Sequence, residues 1–205
     1  RPAHWLLVDN GRIAGAQTRA PDTTWTRFDH RGRLLLPGFI DSHVHMPQVD
    51  VIASYGTELL DWLQTHTWPA EIRYADASVS SDGARRFIDA LLANGTTTAA
   101  VFPTVHPVSV DALFTEAAAR NMRMIAGKVL QDRHSPDGLR DDVEMAERDC
   151  LALINRWHGT GRLSYAVTVR FAATSSDAQL VMAARLCAGD PTLYAIVRLS
   201  LVVSL

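Results

Sequence analysis

Cysteine is scarce in this chain of 205 residues: Cys150 and Cys187 are the whole complement, with no CxxC pair. That excludes a disulfide framework and a thiolate zinc ribbon, and it favours a reducing, cytoplasmic setting. No apolar run reaches the roughly 20 residues a membrane helix needs, and no signal peptide opens the sequence. Clusters of Lys or Arg are also missing, and the formal charge is only −2. Neither nucleic acid nor an anionic membrane is therefore expected as a partner. Walker A, G-x-G-x-x-G, G-x-S-x-G and H-E-x-x-H are all absent, as is the H-x-E and P-C-x-x-C zinc signature of cytidine deaminases. There is no low-complexity segment. The first residue is Arg1 rather than Met, which reads as a start inside a longer reading frame or after processing.

What is present is an ordinary globular balance, 47% apolar and 20% charged, with enough hydrophobic residues for a core. Residues His4 to Val8 and Ile13 to Ala16 read as two strands around Asn10-Gly11, a strong hairpin signal. Phe39 to Val44 reads as a short buried strand after the Pro37-Gly38 turn. Beyond it Ile52, Leu59, Leu60, Trp62 and Leu63 suggest a loosely spaced buried helix face, which Trp68-Pro69 ends. Ser80-Ser81-Asp82 can cap the next helix, with Phe87, Ile88, Leu91 and Leu92 as its stripe and Asn94-Gly95 as its stop.

The alternation then repeats. Strands are expected at Thr96 to Phe102, Met122 to Leu130, Leu163 to Thr168 and Tyr194 to Leu199, and helices at Pro107 to Arg120, Val143 to Trp157 and Ser175 to Cys187. Five strand-then-helix periods imply parallel β with crossover helices, so the fold class is α/β. An open doubly wound sheet and a (β/α)8 barrel both fit, and both put ligand sites at the carboxyl ends of strands. Asn94-Gly95-Thr96 matches a glycosylation acceptor, but reads better as a helix stop running into a strand.

His43 and His45 end the first of these strands. Residues two apart on a strand share a face, so the pair can offer two imidazoles to one metal ion. A His-x-His on an edge strand is also a common accident, and the surrounding sequence decides between the two.

Pro37 to Gln48, Tyr55-Gly56, Leu59 to Leu63 and Thr67-Trp68-Pro69-Ala70-Glu71 resemble the guanine deaminases of the metal-dependent amidohydrolase superfamily. So do Asn94 to Thr98, Thr104 to Pro107, Asn121 to Lys128, and Asp132-Arg133 with Ser135-Pro136-Asp137. The resemblance implies a (β/α)8 TIM-type barrel, here partial with about five βα units, and a β-sandwich built from both chain ends. Residues 1–36 would be the sandwich portion and 37–205 a truncated barrel. It implies hydrolytic deamination of guanine to xanthine and ammonia by a zinc-activated water, with carboxylates moving protons. One Zn2+ would be held by His43, His45 and ligands from later strands, and a homodimer is the usual family state. By the same resemblance Gln48 hydrogen-bonds the purine, Arg170 meets a purine acceptor, and Phe171 packs on the base. His106 is expected to hydrogen-bond behind the site rather than ligate, and Lys128 to form a structural ion pair.

The sequence departs from the family late. Val169 and Ala173 stand where the family has proline, which should loosen the loop aiming Arg170. Aligning Leu199-Ser200 puts Arg198 on the strand-five ligand histidine and Leu201 on the proton-moving glutamate. A guanidinium cannot coordinate zinc, and leucine cannot transfer a proton. The expectation is a truncated, inactive form without a catalytic glutamate. The alternatives are a non-catalytic remnant and an amidohydrolase for another cyclic amide or heterocycle.

Overall fold

The computed structural model describes residues 5–56, 58–190 and 193. The chain divides into two compact units, Arg1–Pro37 and Gly38–Leu205. In the first, β1 (Trp5–Asp9) and β2 (Arg12–Gln17) pair antiparallel. Asn10 and Gly11 both take positive φ, 48° and 74°, as a type I′ hairpin turn requires. The Arg27 guanidinium lies 5.5 Å over the Trp5 ring and adds a cation–π contact.

The second unit is a parallel sheet wrapped by helices. Its strands are β3 (Phe39–His45), β4 (Thr96–Phe102), β5 (Arg123–Ala126) and β7 (Leu163–Tyr165), in the order β3-β4-β5-β7. A second parallel pair, β6 (Val129–Leu130) with β8 (Thr168–Val169), continues beyond β5 and β7. The strands expected at Met122 to Leu130 and Leu163 to Thr168 are thus each broken in two. The cause is close backbone approach at Gly127, where a Cβ would stand 1.7 Å from the Ala166 carbonyl oxygen. Sequential parallel strands joined by helices make this a partial (β/α) barrel.

After β3 comes a 3-10 turn, Met46–Val51, then a helical run of α1 (Leu59–Trp62), a π-helical turn (Leu63–Thr67) and α2 (Trp68–Arg73). Pro69 opens α2 rather than ending a helix, because its missing N–H falls in the first turn where no partner is needed. α3 (Ala77–Ala93) starts earlier than Ser80-Ser81-Asp82 suggests. Asp76 is its cap, accepting from the Ser78 and Val79 amides, while Ser80 is buried inside the helix and donates to the Tyr74 carbonyl. Asn94 and Gly95, φ 79°, stop it and lead straight into β4.

The remaining helices are α4 (Pro107–Ala119), α5 (Val143–Trp157) and α6 (Asp177–Gly189), the last two capped by Asp142 and Ser176. Val110, Leu113, Phe114 and Ala117 of α4 join Ile88, Met124, Tyr165 and Met182 in the main core between helices and sheet.

Two burial expectations fail. Ile40 is 74% exposed and Phe39 is exposed too, because β3 is an edge strand with β4 as its sole neighbour among the described residues. Ile52, Leu59 and Leu60 are likewise exposed, since that apolar face meets no partner element there. The expected strand at Tyr194 to Leu199, with Arg198 and Leu201, lies outside the described residues.

Candidate functional site

β3 delivers its two histidines to the carboxyl end of the sheet on one face. Their Nε2 atoms stand 3.3 Å apart. Two ligands of a tetrahedral zinc, at 2.0–2.1 Å each, are separated by about 3.3–3.4 Å, so the spacing fits two neighbouring ligands of one ion. Phe102 sets that spacing. It is the register partner of His45 on β4, and its ring centroid lies 4.7 Å from His43 and 4.8 Å from His45, stacked on the latter. At the other side Asp41 accepts from the His43 amide at 3.1 Å.

Burial, then Arg170, then His43 push the His45 imidazole down to about 3, so it is neutral with a free lone pair at physiological pH. Neutral imidazole is the form that ligates metal. Among the described residues no third His, Cys, Asp or Glu joins the pair in a metal-holding group.

Gln48 sits in the 3-10 turn that follows His45. Asp50 anchors this turn, paired with Arg86 at 2.6 Å and accepting from the buried Tyr74 hydroxyl at 3.4 Å. Gln48 and His45 share the wall of a cavity of about 520 Å3 with Val44, Trp62, Phe87 and Leu91. His43, Arg170 and Phe171 do not line it, so this cavity by itself does not gather the expected site residues.

Arg170 follows β8 directly, and its amide donates to the Leu130 carbonyl at 3.1 Å. Its guanidinium is held by Glu71 of α2 in a two-pronged ion pair, with Nη2 to Oε1 at 2.9 Å and Nη1 to Oε2 as the second contact. Its positive charge is among the causes that lower the His45 imidazole, after burial. Phe171 is 60% exposed, its ring facing away from the core.

The loop after Arg170 lacks the family's prolines but carries other restraints. The amide and hydroxyl of Thr174 both donate to the Phe171 carbonyl at 3.0 Å, and the amides of Asp132 and Arg133 donate to the Thr174 carbonyl at 3.0 and 3.2 Å. Hydrogen bonds from a neighbouring loop thus take over the restraint expected from the missing rings.

Lys128, buried, forms the structural ion pair expected of it with the partly buried Asp141. His106 is expected to hydrogen-bond behind the site; its Nε2 is buried without a partner among the described residues. Sequence reasoning overlooked Phe102 and Glu71. The first was legible only through strand register, and the second stood within the Thr67 to Glu71 motif without an assigned role.

The sequence profile of the amidohydrolase family matches residues 34–194. The chain belongs to the amidohydrolase family. Members of this family are generally metal-dependent. The chain is 50% identical over 187 residues to guanine deaminase of Escherichia coli strain K12, covering 88% of this chain and 42% of that protein. Among solved structures, E. coli guanine deaminase superposes with a TM-score of 0.87 at 48% identity, over 92% of this chain and 45% of that one. Guanine deaminase from C. acetobutylicum, with guanine bound in its active site, gives 0.83 at 27% identity over 90% and 45%. The chain therefore spans about two-fifths of the length of the curated guanine deaminases it matches. Among the described residues, no helix is long and apolar enough to cross a membrane.

Proposed function

We propose that this amidohydrolase chain carries the first half of a site for hydrolytic deamination of guanine to xanthine and ammonia. The observation that carries the reading is the convergence of the His43 and His45 Nε2 atoms, 3.3 Å apart, at the carboxyl end of β3. Guanine deaminases among the relatives support the choice of substrate.

His43 and His45 would hold one zinc ion. When bound, such an ion supplies Lewis acidity and makes water a nucleophile near neutral pH. The chain's own groups do the rest of the recognition. Phe102 fixes both imidazole rings from behind, and Arg170 offers charged donors to an acceptor edge of the purine. Gln48 supplies a donor and an acceptor together, as a guanine edge requires. Phe171 has an uncovered ring face on which a base can lie.

Moving the proton from water to the leaving amine needs a carboxylate, and the resemblance read from the sequence sets Leu201 at that position and Arg198 at the next ligand. This polypeptide by itself is therefore inactive in our reading, a cytoplasmic protein that pairs with a second copy as family members usually do. The test is direct: purify the chain, load zinc, and follow xanthine from guanine. Turnover no greater than that of a His43→Ala control is expected. Turnover well above it would overturn the inactive reading and establish a proton carrier elsewhere. Conversion of adenine or cytosine in preference to guanine by an intact homologue carrying Gln48, Arg170 and Phe171 would overturn the substrate assignment.

A further inference from the structure

Glu71 has no part in the site as assigned so far, yet its burial is hard to explain without one. Its side chain is 1% exposed and meets Arg170, itself 13% exposed, across 99 residues of sequence. Burying a carboxylate is costly unless it is paired and hydrogen-bonded, and here both oxygens are used by a single guanidinium.

The geometry of that pair restricts Arg170 in a particular way. Contacts through Nη1 and Nη2 take one N–H from each terminal nitrogen and fix both the plane and the roll of the guanidinium. Of its five N–H donors, three remain. The Nε–H and the second Nη2–H are parallel and form another fork along the side edge of the group. Among the described residues the hydrogen bonds of the guanidinium are those to Glu71, and none is made from that edge.

Both partners are mounted rigidly. Glu71 stands on α2, whose Trp68 packs against Phe102, Val105, Val129 and Leu139. Arg170 is tied at its amide to Leu130. The carboxylate also offsets the positive charge of Arg170, which is itself largely buried.

We propose that Glu71 is a positioning residue: by gripping Arg170 through Nη1 and Nη2, it presents the Nε/Nη2 fork to the O6 and N7 acceptors of an oxo-purine. An arginine fork matches that pair of adjacent acceptors bidentately. The proposal rests on the purine reading of the site given above.

The test compares guanine with 2-aminopurine, which keeps N7 and the amino group but lacks O6, as ligands of the full 205-residue chain. The wild type binds guanine more tightly. Glu71→Gln loses about tenfold or more in guanine affinity, the scale of a charge-assisted hydrogen bond, and weakens 2-aminopurine, which keeps only the N7 half of the acceptor pair, several-fold less. Because Glu71→Gln leaves a buried cation unpaired, Glu71→Gln combined with Arg170→Gln serves as the second variant. It restores the melting temperature but not the preference for guanine. An unchanged guanine preference in folded Glu71→Gln, equal loss of both ligands, or a preference regained in the double variant each overturns the positioning role. If the wild type binds guanine no better than 2-aminopurine, the purine reading itself fails, and this inference with it.

Discussion

Lys128→Met removes one partner of a buried ion pair and keeps the volume of the side chain. Lys128 is 1% exposed and its ammonium meets Asp141, whose second carboxylate oxygen is buried with no partner among the described residues. Without Lys128 the Asp141 charge loses its counter-ion and keeps a backbone hydrogen bond from Gln131. Breaking a buried pair from one side costs about 3–5 kcal/mol. For a chain of this size each kcal/mol moves the melting temperature by about 2–4 °C, so a loss of roughly 6–20 °C is expected at pH 7.5.

The pH dependence of this loss identifies its cause. Burial already raises the Asp141 carboxyl, with Lys128 pulling the other way. Removing Lys128 raises it further above the unfolded value of about 3.9. A carboxyl raised on folding takes up its proton first in the folded state, so the deficit is full above the folded value and shrinks as the pH falls toward the unfolded one. Thermal melts by circular dichroism at a series of pH values read this directly. The gap between wild type and Lys128→Met narrows as the medium is acidified, and Lys128→Met with Asp141→Leu recovers most of the loss. A gap of under about 2 °C at pH 7.5, or one that stays constant with pH, would refute the argument from an uncompensated charge.

Other expected outcomes are simpler. Gly127→Ala forces a Cβ to 1.7 Å from the Ala166 carbonyl oxygen and should abolish soluble expression; a folded variant with unchanged spectra contradicts the close approach. Asp76→Ala leaves the Ser78 and Val79 amides uncapped and should lower stability by about 1 kcal/mol, read as a shift of about 2–4 °C. Burial, and then Lys128, lower the His106 imidazole. Its neutral form is favoured on folding, so it contributes stability above about pH 6.5 that is lost as the pH falls through the folded value. Denaturant titrations should show His106→Gln flattening that decline relative to wild type.

The elements that periodicity marks strongly were legible. α4 buries Val110, Leu113, Phe114 and Ala117 as the i, i+3, i+4, i+7 pattern requires, and β4 covers Thr96–Phe102 as expected. Features set by a distant partner were not. The break at Gly127 depends on where residue 166 approaches, and nothing local announces it. The exposure of Ile40 and Leu59 follows from which neighbours their elements have, which hydrophobicity does not encode. Asp76 and Ser80 are both competent caps in isolation, and the choice fell to the one that lets Tyr74 close over the helix start. In the site, the spacing of His43 and His45 suggested a metal pair and the surrounding motifs singled it out, whereas the Glu71–Arg170 pair joins residues from opposite ends of the barrel segment.

The proposed metal pair, His43 and His45, is joined by no third ligand among the described residues. Calorimetric titration of Zn2+ into the metal-free chain at pH 7.5 tests it most directly. Weak one-to-one binding that disappears in both His43→Ala and His45→Ala is the predicted result. Tight binding of the strength of a complete site, or binding that either substitution leaves unchanged, would contradict it.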